Sequence, residues 1–448
     1  MTTLATSKHI HATLCNWMQK HYHTRECGNH MTLRTCHRRA ECYYMPQGSR
    51  IAASAATTLA ILYSFLLLGS IRQTLTAAFF IRSERALVLN VRPTFRRLSC
   101  SPCAMTTTSA EAAEGNKGNP FNFSWQQTML RIKDPAKSLP FYEQVLGFHR
   151  LHEYKFDSFS LFFLYMPSPE EKPGLPPSGS KESEKVLWSM KGTVLELTWN
   201  HGTESQPDLK YHHGNEEPRG FGHIALACDD VYAACEELER RGVAFQKKPD
   251  EGRMKGLAFA KDPDGYWIEI VSRDASAAAF RDPETPRFSL AQTMLRVKDP
   301  RQSLRFYRDL LGMRLLAIKH FSDFSLYFLA QPASLPSSLL ASLPASVDPS
   351  DESGWAVMKQ LPGPVLELTH NHGTENEEGF SYHNGNTDPR GFGHVGFLCD
   401  DLEGACAMLE GEGVAFQKKP SEGSMRGLAF AKDPDGYWVE LVGRGLAI

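Results

Sequence analysis

A histidine and a glutamate, both able to bind a metal ion, lie in motifs that the chain contains twice. His223 ends the motif PRGFGH, and Glu269 ends the longer motif GLAFAKDPDGYWIE. Both motifs return almost unchanged 171 residues later, where His394 and Glu440 occupy the same places. An internal repeat of this fidelity predicts that the two copies fold alike and carry the same chemistry.

Four more polar side chains extend the set of candidate ligands: Gln127, Glu196, Gln292 and Glu367. A glutamine, two glutamates and a histidine suit a five- or six-coordinate divalent ion with open water positions, not a closed cysteine site. Because neighbouring side chains on a strand face opposite ways, Glu196 can point inward while Leu195 and Leu197 pack the other face. A single such residue is more commonly a hydrogen-bonded core residue, but eight at equivalent positions favour metal ligation.

The elements that would position these residues follow the order β-α-β-β-β. Strands of the first module are predicted at 126–132, 159–165, 186–190 and 194–199. A helix is predicted from Asp134-Pro135 to Gly147, with the segment 167–184 as a loop. Strands of the second module are predicted at 222–228, 257–260 and 266–271. The second half copies the first, so the sequence predicts an α+β fold of four modules, each with one candidate ligand on its first strand and one on its last.

Composition divides the chain into a leader, two globular halves and two linkers. The predicted boundaries are 1–104 for the leader, 105–120 and 273–290 for the linkers, and 121–272 and 291–444 for the halves. The leader holds 13 Lys and Arg against 3 Asp and Glu, a net charge of +10, whereas the remainder has −12. A basic arm on an acidic body is typical of a targeting segment rather than of a nucleic-acid-binding surface.

Three interpretations of the leader stay open. The uncharged run between Arg50 and Arg72 is long enough to span a bilayer as a signal anchor, although Ser, Thr and Gly dilute it. The stretch 92–101, rich in Arg and Ser, resembles an organelle transit peptide. Alternatively the leader is an upstream extension absent from the mature protein, with Met105 as the start.

Cysteine usage bears on the compartment. Six of the ten cysteines lie in the leader, and the body keeps Cys228, Cys235, Cys399 and Cys406. Four cysteines in so large a body form no disulfide framework, so we predict reduced thiols. We therefore expect an intracellular protein, cytoplasmic or in a plastid or mitochondrion, that contacts a membrane only if the leader is retained.

Seven short motifs carry a family resemblance. They are QTMLR from Gln127, LELT from Leu195, GTE after Asn200, RGFGH from Arg219, KKP from Lys247, MKGLAF from Met254 and YWIE from Tyr266. Together they make residues 121 to 444 resemble glyoxalase I (lactoylglutathione lyase), a family of the vicinal oxygen chelate superfamily, in its fused two-copy form. The resemblance implies four modules paired into two half-barrel sites.

The resemblance also implies how each metal is held and what reaction follows. A glutamine and glutamate from one half would join a histidine and glutamate from the other: Gln127 and Glu196 with His394 and Glu440, and Gln292 and Glu367 with His223 and Glu269. The family isomerises the hemithioacetal of methylglyoxal and glutathione to S-D-lactoylglutathione through an enediolate, which detoxifies methylglyoxal. By this resemblance Glu440 and Glu269 are the catalytic bases, while Glu196 and Glu367 are ligands that would serve the opposite enantiomer. Zinc is the expected ion, with nickel and cobalt as alternatives.

Glutathione, the co-substrate, carries two carboxylates that need fixed partners. The residues that match the family's set are Arg131, Asn200, Arg390 and Lys418 at one site, and Arg296, Asn371, Arg219 and Lys247 at the other. Met254 and Met425 would cover the thioether. Neither copy lacks a ligand, so we expect both sites to be competent. Departures such as Trp199 against His370 predict that their affinities differ.

Two other functions are alternatives on the same fold. An extradiol dioxygenase needs an iron site of two histidines and one carboxylate, and Gln127 and Gln292 argue against it. A binding protein for a drug or a thiol conjugate would not need two full ligand sets. We expect a small-molecule substrate, no nucleic-acid partner, and a monomer, because one chain completes both sites.

Overall fold

The fold consists of four β-α-β-β-β modules, as the sequence predicts. The computed structural model describes residues 118–168, 171–272, 288–332, 335, 338–339, 353–361, 363–423 and 426–447. These belong to the unit Pro102–Ile448. The predicted leader, nearly all of both predicted linkers, and Met425 lie outside the described residues.

Each half contains two modules in sequence. The elements of the first half are β1 (Ser124–Ile132), α1 (Pro135–Pro140), β2 (His149–Lys155), β3 (Phe159–Tyr165), α2 (Lys181–Leu187), β4 (Val194–Asn200), β5 (Phe221–Cys228), α3 (Val231–Arg240), β6 (Phe245–Lys247), β7 (Ala258–Lys261) and β8 (Trp267–Ser272). Those of the second half are β9 (Ser289–Arg296), α4 (Pro300–Leu304), β10 (Arg314–His320), β11 (Phe324–Ala330), α5 (Ser353–Lys359), β12 (Val365–Asn371), β13 (Phe392–Cys399), α6 (Leu402–Gly411), β14 (Phe416–Lys418), β15 (Leu428–Lys432) and β16 (Trp438–Gly443).

One predicted strand is wrong, and the strand that replaces it was missed. Residues 186–190 do not form a strand, because helix α2 runs through Lys181–Leu187. The Ser180 side chain caps this helix by accepting a hydrogen bond from the Ser183 backbone N–H, so its first turn forms within the predicted loop. The missing strand is β2, an edge strand whose mixed polar sequence gives no clear alternation.

The strands form two sheets, each built from one module of each half. The first has the strand order β14-β15-β16-β13-β1-β4-β3-β2, and the second β10-β11-β12-β9-β5-β8-β7-β6. At the middle of the first sheet β1 pairs antiparallel with β13, and at the middle of the second β5 pairs antiparallel with β9. Each sheet therefore joins the two halves of the sequence through backbone hydrogen bonds.

Modules of the same half do not share a sheet. They are joined by a turn of one module that packs against a helical segment of the other. The turn after β7 brings Asp262 to the first module, where its Oδ2 accepts a hydrogen bond from the Tyr142 hydroxyl at 2.9 Å. In the second half the Tyr307 hydroxyl donates to Asp433 at the same distance, 2.9 Å. Sheets link modules of different halves and turns link modules of the same half, so the four modules form a closed ring.

The two faces of each sheet have different roles. Leu195 and Leu197 of β4 lie in the main hydrophobic core, whereas Glu196 between them faces away from it. This alternation confirms the predicted orientation. Where the modules meet, the buried hydroxyls of Thr128 and Thr293 lie 2.8 Å apart.

Two further features concern the compartment and the membrane. The body cysteines are thiols, as predicted, and all four are buried: Cys228, Cys235, Cys399 and Cys406. Among the described residues, no helix combines the length and the apolar character that a membrane crossing requires.

Candidate active site

The first sheet brings together four predicted ligands, Gln127, Glu196, His394 and Glu440. The Gln127 Nε2 atom lies 2.6 Å from Glu196 Oε2, 2.6 Å from Glu440 Oε2 and 2.9 Å from His394 Nε2. The imidazole Nε2 lies 3.2 Å from each carboxylate. All four residues are buried, and the most exposed of them, Glu440, is only 6% accessible. We call this cluster the first site.

Strand register explains why these four meet. Gln127 pairs with Gly396, and Gly396 pairs with Glu440, so these positions form one row across β1, β13 and β16. The absence of a side chain at Gly396 leaves room for Gln127, because a Cβ there would lie 2.6 Å from the glutamine Cγ. Glu196 and His394 occupy the adjacent row.

The second sheet brings together the equivalent residues, which we call the second site: Gln292, Glu367, His223 and Glu269. Gln292 Nε2 lies 2.5 Å from Glu269 Oε2, 2.8 Å from Glu367 Oε2 and 3.2 Å from His223 Nε2. The imidazole is 3.3 Å from Glu269 and 3.7 Å from Glu367. The structure therefore groups the eight predicted ligands into the two sets of four that the family resemblance implies.

The first site gathers donor atoms that could hold a cation. Burial disfavours a charged His394, yet the carboxylates of Glu440 and Glu196 outweigh it and raise its pKa to about 9. The buried Oε1 of Gln127 has no hydrogen-bond partner, while Nε2 occupies the point where the other donor atoms converge. Rotating the carboxamide would turn the oxygen toward that point. Three oxygens and one imidazole nitrogen would then face a single position, which suits a divalent ion.

The two glutamates of each site are held differently. The Thr198 hydroxyl donates to Glu196 Oε1 at 3.1 Å, and Thr369 donates to Glu367 Oε1 at 3.1 Å. Among the described residues no hydroxyl donates to Glu440 or to its equivalent Glu269. One carboxylate of each pair is therefore restrained at both oxygens, and the other is not.

Arg131 lies beside the first site and is largely occupied by the protein itself. Its Nη1 donates to the carbonyl oxygens of Gly385, Gly391 and Phe392, and its Nη2 donates to Asn386 Oδ1 at 2.8 Å. Burial lowers the pKa of the Arg131 guanidinium. This arginine therefore fixes the loop that precedes β13, whatever else it binds.

Arg296 does the same at the second site. Its Nη1 donates to the carbonyl oxygens of Gly214, Gly220 and Phe221, and its Nη2 donates to Asn215 Oδ1 at 2.8 Å. Burial lowers its pKa as well. The loop between β4 and β5 is thereby tied to β9.

The other predicted glutathione contacts are more accessible. The Arg219 and Arg390 side chains are 54% and 60% exposed, each beside a surface carboxylate. Asn371 donates to the Tyr382 hydroxyl at 2.8 Å, and Asn200 makes a longer contact of 3.4 Å with Tyr211.

Both predicted lysines are anchored near the sites. The ammonium groups of Lys247 and Lys418 donate to the carbonyl oxygens of Leu257 at 2.6 Å and of Leu428 at 2.8 Å. Burial lowers the pKa of both lysines.

A cavity of about 580 Å³ opens beside the second site and has two unlike ends. Along β9 and β12, Arg296 and Asn371 lie on one side of the ligand cluster and Val365 lies on the other. Met254, which we expect to cover the thioether, also lines this cavity. We call the side with Arg296 and Asn371 the polar end and the side with Val365, which Ser272 and Ser289 line together with mostly apolar side chains, the apolar end.

Comparison with known proteins identifies the family. The sequence model of the Glyoxalase/Bleomycin resistance protein/Dioxygenase superfamily matches twice, at residues 125–270 and 289–441. The chain is 42% identical to glyoxalase I of Saccharomyces cerevisiae over 71% of its own length and 92% of that protein. It is 41% identical to lactoylglutathione lyase of Schizosaccharomyces pombe over 71% of its length and 96% of that protein. The chain belongs to the glyoxalase I family.

Membership of the glyoxalase I family makes the protein an enzyme of the lactoylglutathione lyase class. Among solved structures, glyoxalase I from Zea mays aligns with 72% of this chain and 92% of its own, at 25% identity and a TM-score of 0.48.

Several residues that support the sites of this glyoxalase I relative were not predicted from the sequence. Asn215 and Asn386 each link the partly buried arginine to a backbone carbonyl of the strand that holds the histidine. Phe430 packs edge-on against the His394 ring, with centroids 5.3 Å apart. Both asparagines recur at the 171-residue offset, so the repeat itself held the signal.

Proposed function

We propose that the protein converts the hemithioacetal of methylglyoxal and glutathione into S-D-lactoylglutathione at two sites. The observation that supports this most directly is the meeting of Gln127, Glu196, His394 and Glu440, with its copy in the second sheet. Each site draws two residues from each half of the chain.

A divalent ion held by these four residues would supply Lewis-acid stabilisation of negative charge on the substrate oxygens. Zinc is the proposed ion. The donor set alone does not separate zinc from nickel or cobalt, because imidazole and carboxylate suit all three.

The residues of the chain account for the proton transfer. Glu440 takes the proton from the carbon that carries sulfur and hydroxyl, which leaves an enediolate, and returns it to the neighbouring carbon. The hemithioacetal hydroxyl becomes the thioester carbonyl and the ketone becomes the new hydroxyl, so no proton or electron is gained or lost. Glu440 suits this role because no threonine hydroxyl restrains it among the described residues, whereas Thr198 holds Glu196. Glu269 takes the same part at the second site.

The cavity walls bind and orient the substrate. At the second site Arg219, Arg296 and Asn371 lie at the polar end, where two carboxylates of glutathione would bind, with Lys247 nearby. The aldehyde-derived group would then point to the apolar end. Arg131, Asn200, Arg390 and Lys418 take these parts at the first site, with Met425 proposed as the counterpart of Met254.

The test is an assay of the full chain with methylglyoxal and glutathione. Chelator-treated protein is reloaded with zinc, nickel or cobalt, and thioester formation and the configuration of the released lactate are measured. Metal-restored formation of the D product supports the proposal. Folded, metal-loaded protein that binds glutathione conjugates without forming thioester would instead indicate a binding protein.

The quaternary structure and the location are also proposals. One chain completes both sites, so we propose a monomer, which light scattering should show as a mass near 50.2 kDa. Twice that mass would contradict it. A fluorescent fusion of the full chain, compared with one that begins at Met105, tests whether residues 1–104 direct the protein to a plastid or mitochondrion.

A further inference from the structure

The two sites differ at the apolar end of the cavity. At the second site this end includes Ala227 and Ala291. The repeat places Leu398 and Gln126 at the equivalent positions of the first site, 171 residues after and 165 residues before these alanines. Both differences put a larger side chain into the first site.

Ala227 lies close to the reacting groups. It is two residues beyond Ala225, which pairs with both Glu269 and Gln292. Positions two apart on a strand face the same side and are about 7 Å apart, at roughly 3.3 Å of rise per residue. A side chain at this position therefore limits the space directly beyond the ligand cluster.

Ala291 reaches the same space because of a β-bulge. Ala225 pairs with Gln292 while the next residue of β5 pairs with Leu290, so Ala291 has no partner in the ladder. A bulge re-aims the side chain of the extra residue. Gln126 occupies the same bulge in β1, where it is 1% exposed and its amide donates to the Leu187 carbonyl at 3.5 Å.

The equivalent space at the first site is filled by packed side chains. Leu398 is fully buried in a cluster with Phe163 and Trp188. Trp188 is 3% exposed, its ring nitrogen donates to the Tyr154 hydroxyl at 2.8 Å, and its carbonyl accepts from the Gly445 N–H at 3.0 Å. Among the described residues, Leu398, Phe163 and Trp188 thus pack against one another at this end of the first site.

At the second site the corresponding aromatic pair lines open space. Phe328 matches Phe163 in the repeat and packs edge-on against Trp355, with centroids 5.1 Å apart. Both rings line the cavity, and Trp355 is only half-buried. Met358 and Leu361 extend the apolar wall.

We propose that the second site acts on hemithioacetals of bulky apolar 2-oxoaldehydes, with aryl or long alkyl groups, while the first site is confined to small ones. This inference rests on the proposed function for the identity of the reaction. Its physical basis is that an aryl group buries apolar surface at the open end of the second site and would collide with Leu398 and Gln126 at the first.

The kinetic test isolates each site. Glu440→Gln leaves the second site as the only competent one, and Glu269→Gln leaves the first. The ratio of kcat/KM for phenylglyoxal to that for methylglyoxal, each with glutathione, should be at least about tenfold higher at the second site. Adding Ala227→Leu to the Glu440→Gln chain should lower the ratio by about tenfold, and Ala291→Gln provides an independent variant should the leucine prevent folding. Equal ratios at the two sites would overturn the inference.

A binding measurement separates failure of this inference from failure of the proposed function. The metal-loaded full chain is titrated calorimetrically with S-methylglutathione and with S-benzylglutathione, neither of which can react. We expect the benzyl conjugate to bind one site per chain at least about tenfold more tightly than the other, and Ala227→Leu to abolish that difference. Two equivalent sites for the benzyl conjugate would overturn the inference even if both aldehydes were turned over. Unequal sites without any turnover would support the pocket and refute the reaction.

Discussion

Gln127 and Glu440 are 313 residues apart in the sequence, yet their Nε2 and Oε2 atoms lie 2.6 Å apart. The pairing of β1 with β13 and of β13 with β16 produces this contact. Each site therefore contains residues of both halves, so a change that unfolds one half would disrupt both ligand clusters. Because Glu440 and Glu269 belong to different sheets, a substitution can disable the base of one site and leave the other base in place.

Replacing one base should remove the activity of one site and leave the activity of the other. Glu440→Gln and Glu269→Gln should each leave the turnover of the remaining site, whereas the double variant should lose about 10²- to 10⁴-fold, the range for a general base. Steady-state kinetics with methylglyoxal and glutathione measures this. Glu236→Gln, an exposed change on α3, is the matched control. Complete loss with Glu440→Gln alone would show that the second site is not competent.

Metal removal should lower both activity and thermal stability. Without a cation each site buries two carboxylates against one imidazole, and a bound ion stabilises the folded state by an amount that grows with the logarithm of its concentration relative to its dissociation constant. Calorimetry should show a higher Tm after reloading, and elemental analysis should find two ions per chain. Gln127→Ala removes one donor at the first site and should leave about one ion per chain after dialysis. Two ions retained as tightly as in the unaltered chain would exclude Gln127 as a ligand.

Arg131 and Arg390 should respond differently to truncation. Arg131→Ala removes the guanidinium donor from the Gly391 carbonyl and leaves Gly385 with only the bond from the Gly391 N–H, and each buried group left unpaired costs about 1–3 kcal/mol. We expect a lower Tm together with a higher KM. Arg390→Ala removes an exposed side chain and should raise KM with little change in Tm. An unchanged Tm for Arg131→Ala, measured by differential scanning calorimetry, would contradict the structural part assigned to this arginine.

The buried Asp262 should make stability fall as pH rises. Burial and the neighbouring Asp264 raise its pKa from 3.8 to about 7, so between these values the folded carboxyl holds a proton that the unfolded one has released. The contribution of Asp262 to the free energy of unfolding is complete below pH 3.8 and is lost as pH rises through about 7. Asp262→Asn should therefore flatten the dependence of the free energy of unfolding on pH in this window, by an amount on the order of a few kcal/mol.

Urea unfolding of the metal-loaded chain at several pH values tests this expectation. Asp433→Asn is the matched variant in the second half, where burial and Asp435 also raise the pKa. A steeper pH dependence after Asp262→Asn would show that the carboxylate is ionised in the folded protein.

Local pattern determined a large part of this protein. The spacing of the repeat, the alternation around Glu196 and the Asp-Pro start of α1 predicted most of the elements, the modules and the residues that could bind a metal, but not β2 or β6. These features are readable because they depend on neighbours in the chain. Where the local signal was ambiguous, as at the apolar run 186–190, the prediction of a strand was wrong and a capped helix formed.

The tertiary structure decided what depends on residues far apart. The pairing of β1 with β13 and of β5 with β9 decides which modules share a sheet. The sequence alone indicated this pairing only through the family resemblance. The loop carbonyls that occupy Arg131 lie more than 250 residues away from it. The sequence repeat likewise does not reveal that the space beside Ala227 differs from the space beside Leu398. The volume of a side chain matters only where folding places it against a cavity.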